Sequence, residues 1–354
     1  MNRQGKHLCA LAAFRSSPDP DDDAPPGKHH PLKPVDDALD YLDDLHDRTS
    51  RPNGGGGKAA SPRVAGRRLP RLGRIMHTLL DDAGFAVLSD ASANTPSSWD
   101  RLNDYALDEA MSDTLSLRQI LCAKPWLSIA DKMDAIAALP WPEGKVRSAL
   151  LLFVADEIRD SDQGHEPGRM RRAYRKGYSN RWTRSEHGAP YWGLAVVDHG
   201  RNGQARFREA LAQHAYSRRQ PVPLDSRFER ATLNCLIHVI DWVRRHGVDV
   251  TLSKPLFDRQ VESHDGEPLW CRPDFELPFS SAARAHRVVV ETMGADDADY
   301  LERKLRMHDI MRRHGILLEH HVLDDGDQAE RDKAFVRRTG ARILDLAGIK
   351  RAES

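Results

Sequence analysis

The sequence predicts an α/β (α+β) fold, and three observations in its C-terminal third carry that prediction. In PDFELPF, from Pro273, acidic and apolar residues alternate with the period of two that a half-buried strand requires, and RVVVETM, from Arg287, is a second strand-length apolar run. Between Ser226 and Gly247 the spacing changes: Phe228, Leu233, Leu236, Ile237, Ile240 and Val243 recur at helical intervals. Beyond Glu291 a charged helical stretch leads into GILLEHHVL, and such a strand–helix–strand crossover pairs its strands in parallel.

Taken in order, the 354 residues read as four segments. Residues 1–70 are dominated by Pro, Asp and Gly, the composition of a disordered acidic tail and a Gly-rich linker. Val35, Leu39, Leu42 and Leu45 would line one face of a short helix there, marginal without a packing partner. The GGGGK run is a linker rather than a phosphate loop. Ala59 follows Lys58 where Ser or Thr is needed, and Pro52 takes the place of the first glycine. Residues 71–145 read as a mainly helical subdomain. LGRIMHTLLDDAGF puts Leu72, Ile75, Met76, Leu79 and Leu80 on one face and stops at Gly84; SSWDRLNDYALDEAM is a capped helix; LSIADKMDAIAAL is closed by Pro140.

Residues 146–223 form a strand-containing segment. SALLLFVAD and PYWGLAVVDHG are strand-like, whereas ARFREALAQHAYSRRQ, rich in helix formers, reads as a helix. Between the two strands Arg169, Arg171, Arg172, Arg175, Lys176, Arg181 and Arg184 interleave with Tyr174, Tyr178 and Trp182. No acidic residue interrupts them from Pro167 to Ser185. Guanidinium and ammonium groups neutralise phosphates and aromatic faces stack on bases, so this loop suits a nucleic-acid contact.

Residues 224–354 hold the candidate chemistry. Asp225 or Ser226 can cap the first helix, with Glu229 at capping-box spacing. VDVTLSKPLF reads as a strand, HDGEP as a turn, and the strands carrying Asp274 and Glu291 follow, then a helix from about Ala298 to Arg313. Alternation puts Asp274 with Glu276 on one face, and Val289 with Glu291 and Met293 on one face. If the two strands pair, Asp274 and Glu291 meet. Two adjacent carboxylates repel unless a cation lies between them, and hard divalent ions prefer such oxygen ligands.

With Pro273-Asp274, Glu291 and this order of elements, the stretch from Leu224 to Gly340 resembles the PD-(D/E)XK nuclease superfamily. The resemblance implies a restriction-endonuclease-like core, a small mixed sheet flanked by helices, with Mg²⁺ or Mn²⁺ as cofactor. It implies that Asp274 and Glu291 are metal ligands and that Glu229 matches the acidic residue of the first core helix. Met293 fills the position of the motif's lysine. Some branches of the superfamily move that lysine to the following helix, where Lys304 stands. The chain from about Leu72 onward is also loosely similar to uncharacterised proteins of bacterial mobile elements.

Composition sets the remaining bounds. Lys+Arg and Asp+Glu both number 53, so net charge is zero, but acidic residues crowd the first fifty positions and leave the rest positive. Cys9, Cys122, Cys235 and Cys271 form no CxxC pair and no zinc spacing, which fits a reducing cytoplasm and argues against a structural metal. His320 and His321 are strand neighbours facing opposite ways, so one metal cannot readily take both. His308, one turn past Lys304, reads as a surface or packing residue. No stretch approaches a membrane span. The function expected is a metal-dependent nuclease hydrolysing phosphodiester bonds, with DNA ahead of RNA, possible ties to a mobile element or its defence, and a protein partner for the acidic tail. The alternative, which Met293 favours, is a catalytically inactive nucleic-acid-binding or assembly protein.

Overall fold

The structure, a computed structural model, describes residues 71–88, 97–123, 129–155, 190–199, 205–262, 266, 268–282, 284–294, 298–323 and 327–349. The acidic tail, the linker and the basic-aromatic loop with Arg169, Arg171, Arg172, Tyr174, Arg175, Lys176, Tyr178, Arg181 and Trp182 lie outside the described residues. The chain divides into two compact units: Met1–Phe85 with Ala93–Asp225, and Ala86–Ser92 with Ser226–Ser354.

The described residues open with α1 (Arg71–Asp82) and β1 (Val87–Leu88), of which β1 belongs to the second unit. The first unit continues with α2 (Ser98–Asp108), β2 (Ala110–Ser112), β3 (Leu115–Ser116), α3 (Leu117–Ile120), β4 (Leu121–Cys122), α4 (Ile129–Ala137), β5 (Ser148–Ala155), β6 (Tyr191–His199), β7 (Ala205–Ala215) and β8 (Pro223–Leu224). The expected apolar face of α1 is buried throughout, and Gly84 takes the left-handed conformation just past its end. Ser97 caps α2 in a reciprocal box with Asp100. A sheet in the order β4-β5-β6-β7-β8 forms the body of the unit.

One element is corrected: ARFREALAQHA is the strand β7, not a helix. It pairs antiparallel along β6 from Tyr191↔His214 to His199↔Ala205, with a bulge between Val196 and Val197. Buried Arg208 is ion-paired to buried Asp198 of β6. Tertiary pairing has overridden the helical propensity of Ala, Arg, Glu and Leu.

The second unit contains α5 (Arg227–Arg245), β9 (Leu252–Ser253), β10 (Arg259–Glu262), β11 (Pro268–Cys271), β12 (Phe275–Ser280), β13 (Ala285–Met293), α6 (Ala298–His314), β14 (Ile316–His321) and α7 (Gln328–Leu346). Its sheet has the order β1-β9-β12-β13-β14, antiparallel at β12–β13 and parallel at β13–β14, as the crossover predicts. The hairpin β10–β11 and the helix α7 were not anticipated. Of the expected HDGEP turn, Gly266 takes the left-handed conformation between these strands, and residues 264, 265 and 267 lie outside the described residues. Two layers cover the sheet. On the Val289 face, Met311 of α6 packs with Val261 and Cys271 of the hairpin. On the Thr292 face lie α5 and α7, which pack so closely that a Cβ at Gly340 would collide with the Trp242 ring.

Candidate active site

Phe275 and Val290 are the last registered pair at one end of β12–β13, and Asp274 and Glu291 lie one step beyond them on adjacent strands. Each is nearly removed from solvent: Asp274 is 6% exposed and Glu291 2%. Glu291 points to the α6 side, where Lys304 Nζ donates to its Oε1. Its other oxygen, Oε2, is buried and has no hydrogen-bond partner among the described residues. A buried carboxylate oxygen without a donor is costly unless a cation or water meets it.

Asp274 is held differently. Its Oδ2 accepts from the Thr292 backbone N–H at 2.8 Å, and its Oδ1 lies 3.9 Å from Lys254 Nζ. Lys254, the residue that follows β9, also reaches Glu229 Oε2 at 3.0 Å. Ser226 does cap α5 by accepting from the Glu229 N–H, but the Glu229 carboxylate is ion-paired with Lys254. The capping-box spacing thus describes the backbone and not the side chain. Three of the four residues picked from the sequence are buried carboxylates, and Lys304, on the second turn of α6, pairs with one of them.

Two neighbours escaped the sequence. Lys254 is 2% exposed, and its signal was a lone lysine inside the apolar strand TLSKPLF. Glu319 of β14 registers directly beside Glu291, and its Oε1 lies 3.2 Å from Nδ1 of fully buried His308. His308 is therefore no surface residue. Burial drives its imidazole below the usual value, against the opposing pull of Glu319. Glu276, on the Val289 face, lies within 2.8 Å of His314 Nε2. Burial alone would raise its carboxyl pKa, but His314, Arg259 and Arg287 bring it below the usual range.

Glu229, Asp274 and Glu291 themselves offer only carboxylate oxygens, the type a hard divalent ion takes. Among the described residues, however, Glu229, Asp274 and Glu291 do not gather into a three-ligand cluster; Cys235, His320 and Asp332 do. Lys254 stands between Glu229 and Asp274, and Lys304 pairs with Glu291. Met293 is 2% exposed and brings only a thioether to the strand end.

Comparison with known proteins agrees with this architecture. A family model described as a restriction endonuclease-like C-terminal domain matches residues 225–343, which places this region with the PD-(D/E)XK-like superfamily. A second, described as a domain of unknown function (DUF8535), matches residues 31–215. An Escherichia coli protein described as "Uncharacterized protein in cib 5'region" is 37% identical over 131 residues, 36% of this chain. The aligned part spans 60% of that relative's length. No solved structure matches. Among the described residues no helix is long and apolar enough to cross a membrane.

Proposed function

Because the chain belongs to the DUF8535 family through residues 31–215 and ends in a restriction endonuclease-like domain, we propose that it is a metal-dependent nuclease hydrolysing phosphodiester bonds in DNA. The observation that carries this reading is Glu291. A carboxylate that is 2% exposed, with one oxygen on Lys304 and the other facing no donor among the described residues, suits a cation-holding role better than a packing role. Asp274 and Glu291 would hold Mg²⁺ or Mn²⁺, with Glu229 as a further acidic neighbour. The ion, when bound, supplies Lewis acidity toward water and toward the scissile phosphate. Asp274 is oriented by the Thr292 N–H, which fixes the direction of its carboxylate. Lys304 and Lys254 provide the fixed positive charge that a phosphate and an attacking hydroxide both need. The basic-aromatic loop of Arg169 to Trp182 would hold the substrate through phosphate contacts and base stacking. DNA rather than RNA as substrate, and a role in a mobile element or its defence, belong to this reading; the latter rests on the loose resemblance noted in the sequence.

A second reading is favoured by Met293 and by the two lysines that already neutralise the carboxylates: a nuclease-like domain that binds nucleic acid without cutting it. Incubation of the full chain with supercoiled plasmid and with single-stranded DNA decides between them. A nuclease cleaves with Mg²⁺ or Mn²⁺, stops with a chelator, and loses activity in Asp274→Asn and Glu291→Gln. Cleavage that survives both substitutions would sink the assignment. DNA binding without cleavage under any divalent ion would favour the second reading.

A further inference from the structure

On the α5–α7 side of the sheet, Cys235 of α5, His320 of β14 and Asp332 of α7 each bring one ligand atom to within 4.8 Å of the other two. Cys235 is 4% exposed and His320 1%, whereas the Asp332 side chain is 34% exposed. We propose that these three residues form a second metal site, for a zinc-class divalent cation, that fastens the C-terminal helix α7 to α5 and β14. The site does not depend on the nuclease reading.

The donor set selects the ion. A thiolate and an imidazole beside one carboxylate suit Zn²⁺ or Co²⁺ and disfavour Mg²⁺ or Ca²⁺, which want an all-oxygen shell. Three protein ligands leave one tetrahedral position, and the open side at Asp332 gives water access to it.

The surroundings are those a metal-binding histidine requires. His320 Nε2 lies 3.0 Å from Asp332 Oδ1, while Nδ1 lies 2.9 Å from Thr232 Oγ1. The ring is stacked on Phe335, with centroids 4.3 Å apart. Its plane and its Nδ1 are therefore fixed by partners outside the cluster, Phe335 and Thr232, the usual outer support of an imidazole ligand. Gln328 Nε2 donates to Asp332 Oδ1 at 2.5 Å and steadies the carboxylate.

Proton balance gives the site a signature. An ordinary cysteine thiol is mostly protonated at neutral pH, and only its thiolate ligates a metal. Binding forms the sulfur–metal bond and releases that proton to solvent. His320 stays neutral. With its proton on Nδ1, donated to Thr232 Oγ1, Nε2 is left as the ligand.

Cys235 on α5 is far in sequence from His320 and Asp332, and none of the four cysteines has zinc-like spacing, so the site was invisible in the chain. The expectation that cysteine usage argues against a structural metal is reversed by this proposal, because the other two ligands are not cysteines.

Co²⁺ titration of the full chain tests it. Expected are a near-ultraviolet thiolate-to-cobalt charge-transfer band that saturates at one ion per chain, release of about one proton, and bleaching of the band by Zn²⁺. Zn²⁺ should also raise the melting temperature. The band and the thermal shift should vanish in Cys235→Ser and Asp332→Asn and persist in Glu291→Gln. Asp332→Asn is isosteric and partly exposed, so it serves if Cys235→Ser fails to fold. Absence of a thiolate band in the wild type, or its persistence in Asp332→Asn, overturns the proposal.

Discussion

Lys254 and Glu229 form an ion pair 3.0 Å long in which both side chains are only 1% exposed, and the same ammonium lies 3.9 Å from Asp274. One lysine therefore balances two buried carboxylates carried by α5 and by the approach to β12. Its ammonium also sits 5.7 Å from the Phe275 ring centroid. Taking such charges out of water costs several kcal/mol per ion, so the arrangement persists only while all its members are present.

Lys254→Met should consequently destabilise the chain by about 3–5 kcal/mol, the cost of leaving buried carboxylates without their cation. Adding Glu229→Gln should recover part of that loss, since one stranded charge is removed. Urea unfolding of the two single variants and the double variant measures the coupling. Additive losses would show that the pair does not act as a unit.

Acid sensitivity should begin near the histidine range. The ordinary value for His308 is 6.5, and burial lowers it in the folded chain. The unfolded chain then takes up the proton first as pH falls. Its contribution is fully present above about 6.5 and is lost as pH drops toward the lowered folded value. Glu276, whose carboxyl is lowered from 4.5, adds a separate loss as pH falls through its folded value. Urea midpoints at about pH 7.5 and 5.5 should differ in the wild type. His308→Gln should narrow that gap, and an unchanged gap would remove His308 as its source.

The sequence made local order legible and left distant convergence hidden. Ser226, the apolar stripe of α5, the β12–β13 pairing and the parallel return through α6 all follow from period and capping. So does the adjacency of Asp274 and Glu291, which needs only a hairpin-like register. Lys254 was hidden because nothing in one sequence distinguishes a buried lysine from a surface one. Glu319 was hidden because its place beside Glu291 depends on the β13–β14 register, which is set by packing. The β7 error had the opposite cause: composition spoke clearly for a helix, and a long antiparallel partner prevailed. The same limit hid Cys235, His320 and Asp332, each unremarkable until α5, β14 and α7 come together.

Packing between α5 and α7 gives a prediction opposite in sign to propensity. Ala is a better helix former than Gly by about 1 kcal/mol. At Gly340, however, an added Cβ would collide with the Trp242 ring, and overpacking costs about 1–3 kcal/mol. Gly340→Ala should lower the urea midpoint, and Gly340→Ala with Trp242→Leu should restore part of it. A stabilised single variant would show that the two helices can move apart freely.

Substrate holding by the basic-aromatic loop is tested by salt. Replacing Arg171, Arg172 and Arg175 with alanine should weaken DNA binding and reduce the slope of log affinity against log salt by about 0.9 per lost phosphate contact on duplex. Tyr178→Ala and Trp182→Ala should weaken single-stranded binding by about 1–3 kcal/mol per lost stack and affect duplex less. Unchanged slopes would assign the loop to solvent.

The position of the active lysine is the sharpest test of the nuclease reading. Met293, in the place of the motif's lysine, offers no charge, while two lysines approach the carboxylates from other elements: Lys304 from α6 to Glu291 and Lys254 from β9 to Asp274. They differ in burial. The Lys304 side chain is 17% exposed, whereas that of Lys254 is 1% exposed and fixed between two acids. The more accessible ammonium is the one that can follow a phosphate or an attacking water. Lys304→Ala should lower turnover by about 10²–10⁴-fold, the range of a positioned proton-handling group, while leaving Mn²⁺ affinity within a few-fold. Met293→Lys in that background should restore part of the rate if the two positions serve one target. Single-turnover cleavage and Mn²⁺ titration on the same preparations separate the outcomes. Wild-type cleavage by Lys304→Ala would move the role to Lys254. Loss of metal binding with loss of cleavage would instead mean that Lys304 organises Glu291 and takes no part in the reaction.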